Sequence, residues 1–463
     1  MLYSIRKAVM IKKLLITLTF FATVSLFAQP YSLSECKRLA LQNNVKSLNA
    51  DLEVQSAVQT KRAAFTKFFP SVNANGGAFR FDTPFIDVDI SNVDLSVSLT
   101  NSQYNIILQN LLDRYGAYLS EVNINMKMMK EGLIGGITAI QPVFAGGRII
   151  NGNKLAGAGI EAAQYKRELA LDEIILKTEQ NYWLVISLEE KMKTVRLVAT
   201  LLDTLYKDVT LAYNQGIINK NDLLKVKIKQ NELRSNRLQL ENGIEMAKMA
   251  LCQYIGVIYS DNVIFSDTLP NPEDPLKYKI DHQSVISNRT ESKLLDLSVR
   301  AQNLQKKMVI GESMPQLGIG CGYLYNNVMG KNKTNAVLFA SLKIPLSAWW
   351  EASHNIKKQQ IQEKIAENNR RDLTELMLLQ MEQSWNEVEE AYIQIGFAND
   401  AVAQAAENLK LSDDQYQSGV VTISELLEAQ SLLQNCRNQY TEQCITYQIK
   451  LRSYLQMTGQ SEK

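Results

Sequence analysis

The sequence predicts an α+β protein in which very long antiparallel α-helical hairpins are joined to four short β-strands. Three observations predict it: two long intervals without proline, apolar alternation between paired prolines, and a tandem internal repeat that carries both. Repetition over long periods decides an architecture before any single element does.

Displacing the chain by 203 residues lays its second half on its first. Pro142 then falls on Pro345, Tyr182 on Trp385, Tyr213 on Tyr416, Gly216 on Gly419 and Gly256 on Gly459. Asp222-Leu223-Leu224 falls on Glu425-Leu426-Leu427. An upstream block repeats with a displacement of 245: Asn43 with Asn288, Ser47 with Ser292, Asp51 with Asp296, Pro70 with Pro315 and Gly77 with Gly322. The difference is an insertion in the first copy, at about 80–131. The expected division is a signal peptide (1–28), a first repeat (29–256), a linker (257–281) and a second repeat (282–463).

The helices follow from proline. It removes a backbone donor and breaks a helix interior, and none of the nine prolines lies in 143–269 or beyond 345. As one helix, 351–415 would reach about 100 Å at ~1.5 Å per residue. Met381, Trp385, Val388, Tyr392, Ile395, Val402, Ala406 and Leu409 step by three and four, with Asn399 the polar intruder. Leu426, Ala429, Leu433, Cys436, Tyr440, Cys444, Tyr447, Leu451 and Tyr454 keep the same rhythm. Such a period is that of a helix–helix seam. Gly216 and Gly419 mark the hairpin turns at 214–221 and 417–422.

The strands follow from alternation. Ala336, Leu338, Ala340, Leu342 and Ile344 share one face, and the repeat partner places Leu133, Gly135, Ile137 and Ala139 likewise. Leu317, Ile319, Cys321, Tyr323 and Tyr325 alternate with Gly318, Gly320 and Gly322; 73–79 is a weaker counterpart. Pro70, Pro142, Pro315 and Pro345 are expected at the strand–helix junctions. Ten-residue strands with one apolar face and tyrosine near one end match a membrane β-barrel.

Residues 1–28 carry a basic start (Arg6, Lys7, Lys12, Lys13), an apolar run and Ala28, the layout of a secretory signal peptide. Its removal takes four positive charges and moves the formal charge from +2 to −2. That balance makes no case for nucleic-acid binding. Beyond residue 28 charges interrupt every long apolar segment, so a membrane would be entered through strands. Four strands cannot close a barrel, and an open edge in lipid leaves backbone groups unsatisfied at several kcal/mol each. Other copies of the chain are therefore expected to complete it, with eight or twelve strands as the small even solutions.

Five cysteines without paired short spacing are expected as buried free thiols, with no metal site and no cofactor. His282 and His354 are far apart, and Gly146-Gly147 has no phosphate-loop context. No enzymatic chemistry is expected.

Tyr416-Gln-Ser-Gly419 followed by Glu425-Leu-Leu-Glu428-Ala-Gln430, its echo Tyr213-Asn-Gln-Gly216 with Asp222-Leu-Leu, and the Gln141-Pro-Val-Phe-Ala-Gly-Gly147 strand exit resemble the TolC family of outer-membrane efflux proteins. The resemblance covers essentially the whole mature chain. It implies a homotrimer with one twelve-stranded transmembrane β-barrel in the cell outer membrane and a hollow α-barrel reaching into the periplasm. It also implies a passive exit duct that meets a periplasmic adaptor (membrane fusion) protein and an inner-membrane transporter of resistance-nodulation-division, ABC or major-facilitator type. Glu425, Glu428, Asp222 and Tyr416 match the family's periplasmic constriction. Val421 stands where well-studied gates carry Arg, so an Arg-centred lock is not expected. The rival reading is a periplasmic coiled-coil adaptor or scaffold, which needs no barrel. In the insertion, Asp87, Asp89 and Asp94 alternate with Val88, Ile90 and Leu95, as in a hairpin extending the strands outside the cell; 105–119 could hold a short helix.

Overall fold

The computed structural model describes residues 30–82, 86–90, 124–128, 131–327 and 332–460. The signal-peptide segment, Asp94, Leu95 and the 105–119 segment lie outside them. The element order is α1 (Leu33–Asn43), α2 (Val45–Thr66), β1 (Ser71–Arg80), β2 (Ile86–Ile90), β3 (Ile124–Met128), β4 (Glu131–Ala145), α3 (Arg148–Asn214) and α4 (Lys220–Ile255). A linker with short helical turns leads to α5 (Thr290–Glu312), β5 (Gln316–Asn327), β6 (Lys333–Lys343), α6 (Ala348–Gln417) and α7 (Ile423–Met457). The proline-free intervals are long helices: α3 has 67 residues and α6 has 70. Element ends keep the sequence displacements, with α4 starting at Lys220 and α7 at Ile423, and α2 starting at Val45 and α5 at Thr290.

Compactness divides the chain differently from the sequence copies. One unit holds 30–58, 158–300 and 364–460; the other holds 59–157 and 301–363, each drawing on both copies.

The second unit contains a four-stranded antiparallel sheet in the order β1-β4-β5-β6. Its register aligns the predicted apolar positions of β4, β5 and β6 in rows that Val72, Ala74 and Phe144 join: Val72–Ala139–Cys321–Leu338, Ala74–Ile137–Tyr323–Ala336 and Phe144–Leu317–Leu342. Because directly opposed residues share a face, one side is mostly apolar, interrupted by Gln141 opposite Ile319 and Thr334 opposite Tyr325, and it is exposed: Leu338 at 86% and Ile137 at 57%. The opposite rows, such as Asn73–Thr138–Gly322–Val337 and Asn75–Gly136–Leu324–Asn335, mix amides, hydroxyls and glycines with fewer large apolar groups. Gly320 lies beneath the Phe339 ring, where a Cβ would come within 2.4 Å. β1 and β6 each pair on one side only among the described strands. β2 and β3 form a separate antiparallel pair, so part of the insertion is a hairpin.

Pro70 and Pro315 stand directly before β1 and β5, and Pro345 just after β6. Pro142 departs from its expected junction. β4 runs on to Ala145, with a register shift between Pro142 and Phe144. A bulge is where a strand tolerates a residue lacking N–H, so the strand absorbs the proline.

The first unit is held by apolar helix faces. Cys36, Tyr182, Trp183, Leu251, Ile255 and Phe265 form one core, and Trp385, Val388, Cys444, Tyr447 and Tyr454 another. Linker backbone groups are satisfied by buried tyrosines. Tyr182 Oη donates to the Tyr31 carbonyl at 3.2 Å and accepts from the Asp267 N–H at 3.3 Å. Tyr454 Oη accepts from the Ile280 N–H at 3.3 Å, and Tyr447 Oη donates to the Glu273 carbonyl. His282 bonds the Tyr454 hydroxyl through Nε2 at 3.1 Å, with Nδ1 3.2 Å from Glu382. All five cysteines are free, and burial pushes the Cys36 thiol up to about 12. Cys321 and Cys436 correct the expectation of burial: Cys436 is half-buried, and Cys321 is exposed on the mostly apolar face of the sheet.

Candidate functional site

The site is built by two helix ends. α3 stops at Asn214 because Gly216 takes φ 78°, a left-handed conformation that glycine adopts without a Cβ clash. The Gly216 N–H donates to the Tyr213 carbonyl at 3.0 Å and the Ile217 N–H to Ala212 at 2.9 Å, closing the last turn. The other hairpin repeats this arrangement. Gly419 takes φ 75°, its N–H donates to Tyr416 at 3.0 Å, and the Val420 N–H donates to Gln415 at 2.9 Å. The chain then restarts as α4 and α7. Thr422 caps α7 by accepting from the Glu425 N–H at 3.4 Å, while Asn219 caps α4 without a side-chain bond.

The two tips share one apolar core. Val209 and Val226 pack in the same cluster as Ile423, Leu426 and Leu427, with Tyr416, Ile218 and Leu223 at its margin. Burial raises the Tyr416 phenol above its ordinary value, and the negative charges of Asp222 and then Asp208 raise it further. Tyr416 and Asp222, on different hairpins, thus share one electrostatic environment. Asp222 also lies 3.4 Å from Lys225, one turn along α4.

Glu425 and Glu428 are exposed and three residues apart, hence on one face of α7. The Thr422 hydroxyl also donates to Glu425 Oε1 at 3.2 Å. Val421 is half-buried.

Three participants are absent from the sequence reading. Asp208 on α3 adds its negative charge to the surroundings of Tyr416; its repeat partner is Leu411, so the repeat carries no signal for it. Ile217 and Val420 are 71% and 73% exposed at the two turns. They are repeat partners directly after the turn glycines, and that spacing could have found them. Among the described residues no group of His, Cys, Asp and Glu is arranged to hold a metal ion, and no helix is long and apolar enough to cross a membrane.

The family described as outer membrane efflux protein matches residues 295–460. No curated protein matches the sequence. Three solved outer-membrane proteins share the fold. The CmeC outer membrane channel of Campylobacter jejuni superposes with a TM-score of 0.70 at 12% identity, covering 93% of this chain and 87% of that one. VceC of Vibrio cholerae gives 0.67 at 13% identity, covering 92% and 96%. The open MtrE outer membrane channel of Neisseria gonorrhoeae gives 0.68 at 14% identity, covering 92% and 88%. At these identities the likeness establishes the fold.

Proposed function

We propose that this chain, whose residues 295–460 match the outer membrane efflux protein family, is the outer-membrane exit duct of a multicomponent export system. The single observation that carries the reading is the sheet: four strands with one mostly apolar face and, among the described strands, an unpaired edge on β1 and on β6. In lipid such edges must be paired. Three copies supplying four strands each make one twelve-stranded barrel with the apolar rows toward the acyl chains. The mixed polar and glycine-rich rows then line the interior. The duct conducts passively and makes or breaks no bonds.

The tips form the periplasmic entrance. Three-fold symmetry turns Glu425 and Glu428 into rings of carboxylate, which concentrate cations and repel anions. Tyr416 on one hairpin and Asp222 on the other belong to the constriction, with no Arg-centred lock because Val421 stands at that position. Ile217 and Val420 offer apolar contacts for a periplasmic adaptor, which joins the duct to an inner-membrane transporter. A periplasmic scaffold would share the helices, but it would have no use for an exposed apolar sheet face.

The test is purification and conductance. The mature chain is expected to require detergent, to run as a heat-modifiable trimer and to give cation-preferring conductance in planar bilayers. Glu425→Gln with Glu428→Gln is expected to lower that preference several-fold without abolishing conductance. A detergent-free monomer that passes no ions would refute the duct; unchanged selectivity would remove the carboxylate rings alone.

A further inference from the structure

The two copies of the repeat fasten their leading segments to the long helices with the same kind of contact. In the first copy Lys37, on α1, pairs with the buried Glu179 of α3. The displacements of the repeat carry Lys37 to His282 and Glu179 to Glu382. The structure brings the second pair together as well, with His282 Nδ1 3.2 Å from the Glu382 carboxylate on α6. The glutamate is kept in both copies, while its partner changes from lysine to histidine. A lysine ammonium stays charged at neutral and mildly acidic pH, whereas imidazole ordinarily changes charge between about pH 5 and 8.

The surroundings of His282 decide which nitrogen carries the proton. Its side chain is only 11% exposed. Tyr454 Oη on α7 accepts from the Ile280 N–H at 3.3 Å, which leaves its own proton for His282 Nε2 at 3.1 Å. Nδ1 then bears the imidazole proton and donates it to Glu382. One ring therefore ties the segment before α5 to both α6 and α7. Glu382 lies roughly 50 Å from the Gln417 end of α6 at ~1.5 Å per residue, so the tie sits far from the hairpin tip.

We propose that His282 is a proton-responsive clasp: its protonation fastens the inter-repeat linker more tightly to α6 and α7, giving the second copy the ion pair that the first holds permanently. Protonation turns Nε2 into a donor, so the bond to Tyr454 reverses. Tyr454 Oη has two acceptor sites and takes both the Ile280 N–H and the imidazolium N–H. The phenol proton loses its acceptor. Against that, the reversed bond becomes charge-assisted, roughly twice as strong as a neutral one, and Glu382 gains a full opposite charge. The charged groups beside the ring are Glu382 from α6 and, on the linker itself, Lys279 and Asp281; α7 presents the Tyr454 hydroxyl. Lys279 opposes the added charge, but its ammonium lies over the Trp385 ring at 5.0 Å, whereas Glu382 is in direct contact. The Asp281 carboxylate accepts from the Gln283 N–H at 3.2 Å and favours the charge. The clasp therefore tightens as pH falls through the imidazole range and is lost again in stronger acid, where carboxylates protonate.

Histidine occurs twice in the chain, so His354→Gln alone assigns the imidazole nitrogens of the full mature protein in detergent. By nitrogen NMR the His282 proton is expected on Nδ1 at about pH 7.5 and on both nitrogens at about pH 5.5. Amide hydrogen exchange over 276–283, corrected for the intrinsic effect of pH, reads the clasp itself. Protection there is expected to rise roughly 3–10-fold between those two pH values. The first-copy segment 31–38, held by Lys37, is the internal reference and should not change. His282→Lys should give high protection at both pH values, while His282→Gln and Glu382→Gln should each abolish the rise. Equal protection at both pH values in the wild type, a fall in acid, an equal change over 31–38, or a full rise in either glutamine variant would overturn the clasp. None of these readouts depends on conductance, so the duct stands or falls separately.

Discussion

Gly146 and Gly311 meet backbone to backbone, and the contact shows how a single methyl group can matter in so long a chain. A Cβ on Gly311 would lie 2.3 Å from the Gly146 carbonyl oxygen, and Gly146 itself takes φ 61°. Neither atom is the end of a flexible side chain, so the backbone would have to move. Gly311→Ala is expected to destabilise by about 1–3 kcal/mol, the usual cost of overpacking. Gly243 provides the comparison, since it lies in the interior of α4 with nothing within 4 Å of an added Cβ. Gly243→Ala should stabilise by about 0.5–1 kcal/mol, through the entropy glycine loses in a helix. Thermal melts of both variants in detergent check the pair; equal effects would mean that the close approach is not real. The turn glycines 216 and 419 are readable in sequence because a left-handed residue must follow a helix end. The 146–311 contact is not readable, because its members are far apart in the chain.

Helices and strands show which rhythms survive assembly. The predicted stripe on α6 holds through Met381, Trp385, Val388 and Ile395, all buried. Beside it Ala391, Ala398 and Ala405 are buried, each one residue before the expected Tyr392, Asn399 and Ala406, of which Asn399 and Ala406 are exposed. α1, α3 and α7 are tied by a buried carboxylate. Glu179 is 5% exposed and pairs with Lys37, and Arg452 Nε stands 3.1 Å from its Oε1. The Arg452 approach lacks hydrogen-bond alignment, so it acts there as charge on charge. Removing the carboxylate strands two cations. Glu179→Ala is expected to cost about 3–5 kcal/mol. Asp51→Ala, which breaks the exposed pair with Arg167, should cost under about 1 kcal/mol. Chemical denaturation of the two variants measures the difference, and comparable losses would contradict the burial.

At the scale of the molecule, the sheet decides what the chain becomes. Its apolar rows cannot be left in water over so many residues, and its edges, β1 and β6, cannot be left unpaired in lipid. The two faces should therefore respond differently to charge. Leu338→Arg, on the apolar face, is expected to destabilise the inserted barrel by about 2–4 kcal/mol. Val337→Arg, its neighbour on the mixed face, should cost less, because an aqueous interior solvates the guanidinium. Urea titration of the reconstituted protein gives both values, and a reversed order would exchange the two faces.

The sequence by itself determined the element types and much of their extent, since proline, alternation and helical period act through neighbours a few residues apart. It also determined which side of each strand is apolar, because side chains alternate strictly along a pleated strand. Only the tertiary structure aligned those faces into common rows, drew β4 past Pro142 and buried Ala398 and Ala405 on α6. The same holds for Gly146 against Gly311 and for the two cations beside Glu179. Each of these depends on contacts between segments remote in the chain, and local patterning carries no information about which remote segments will meet.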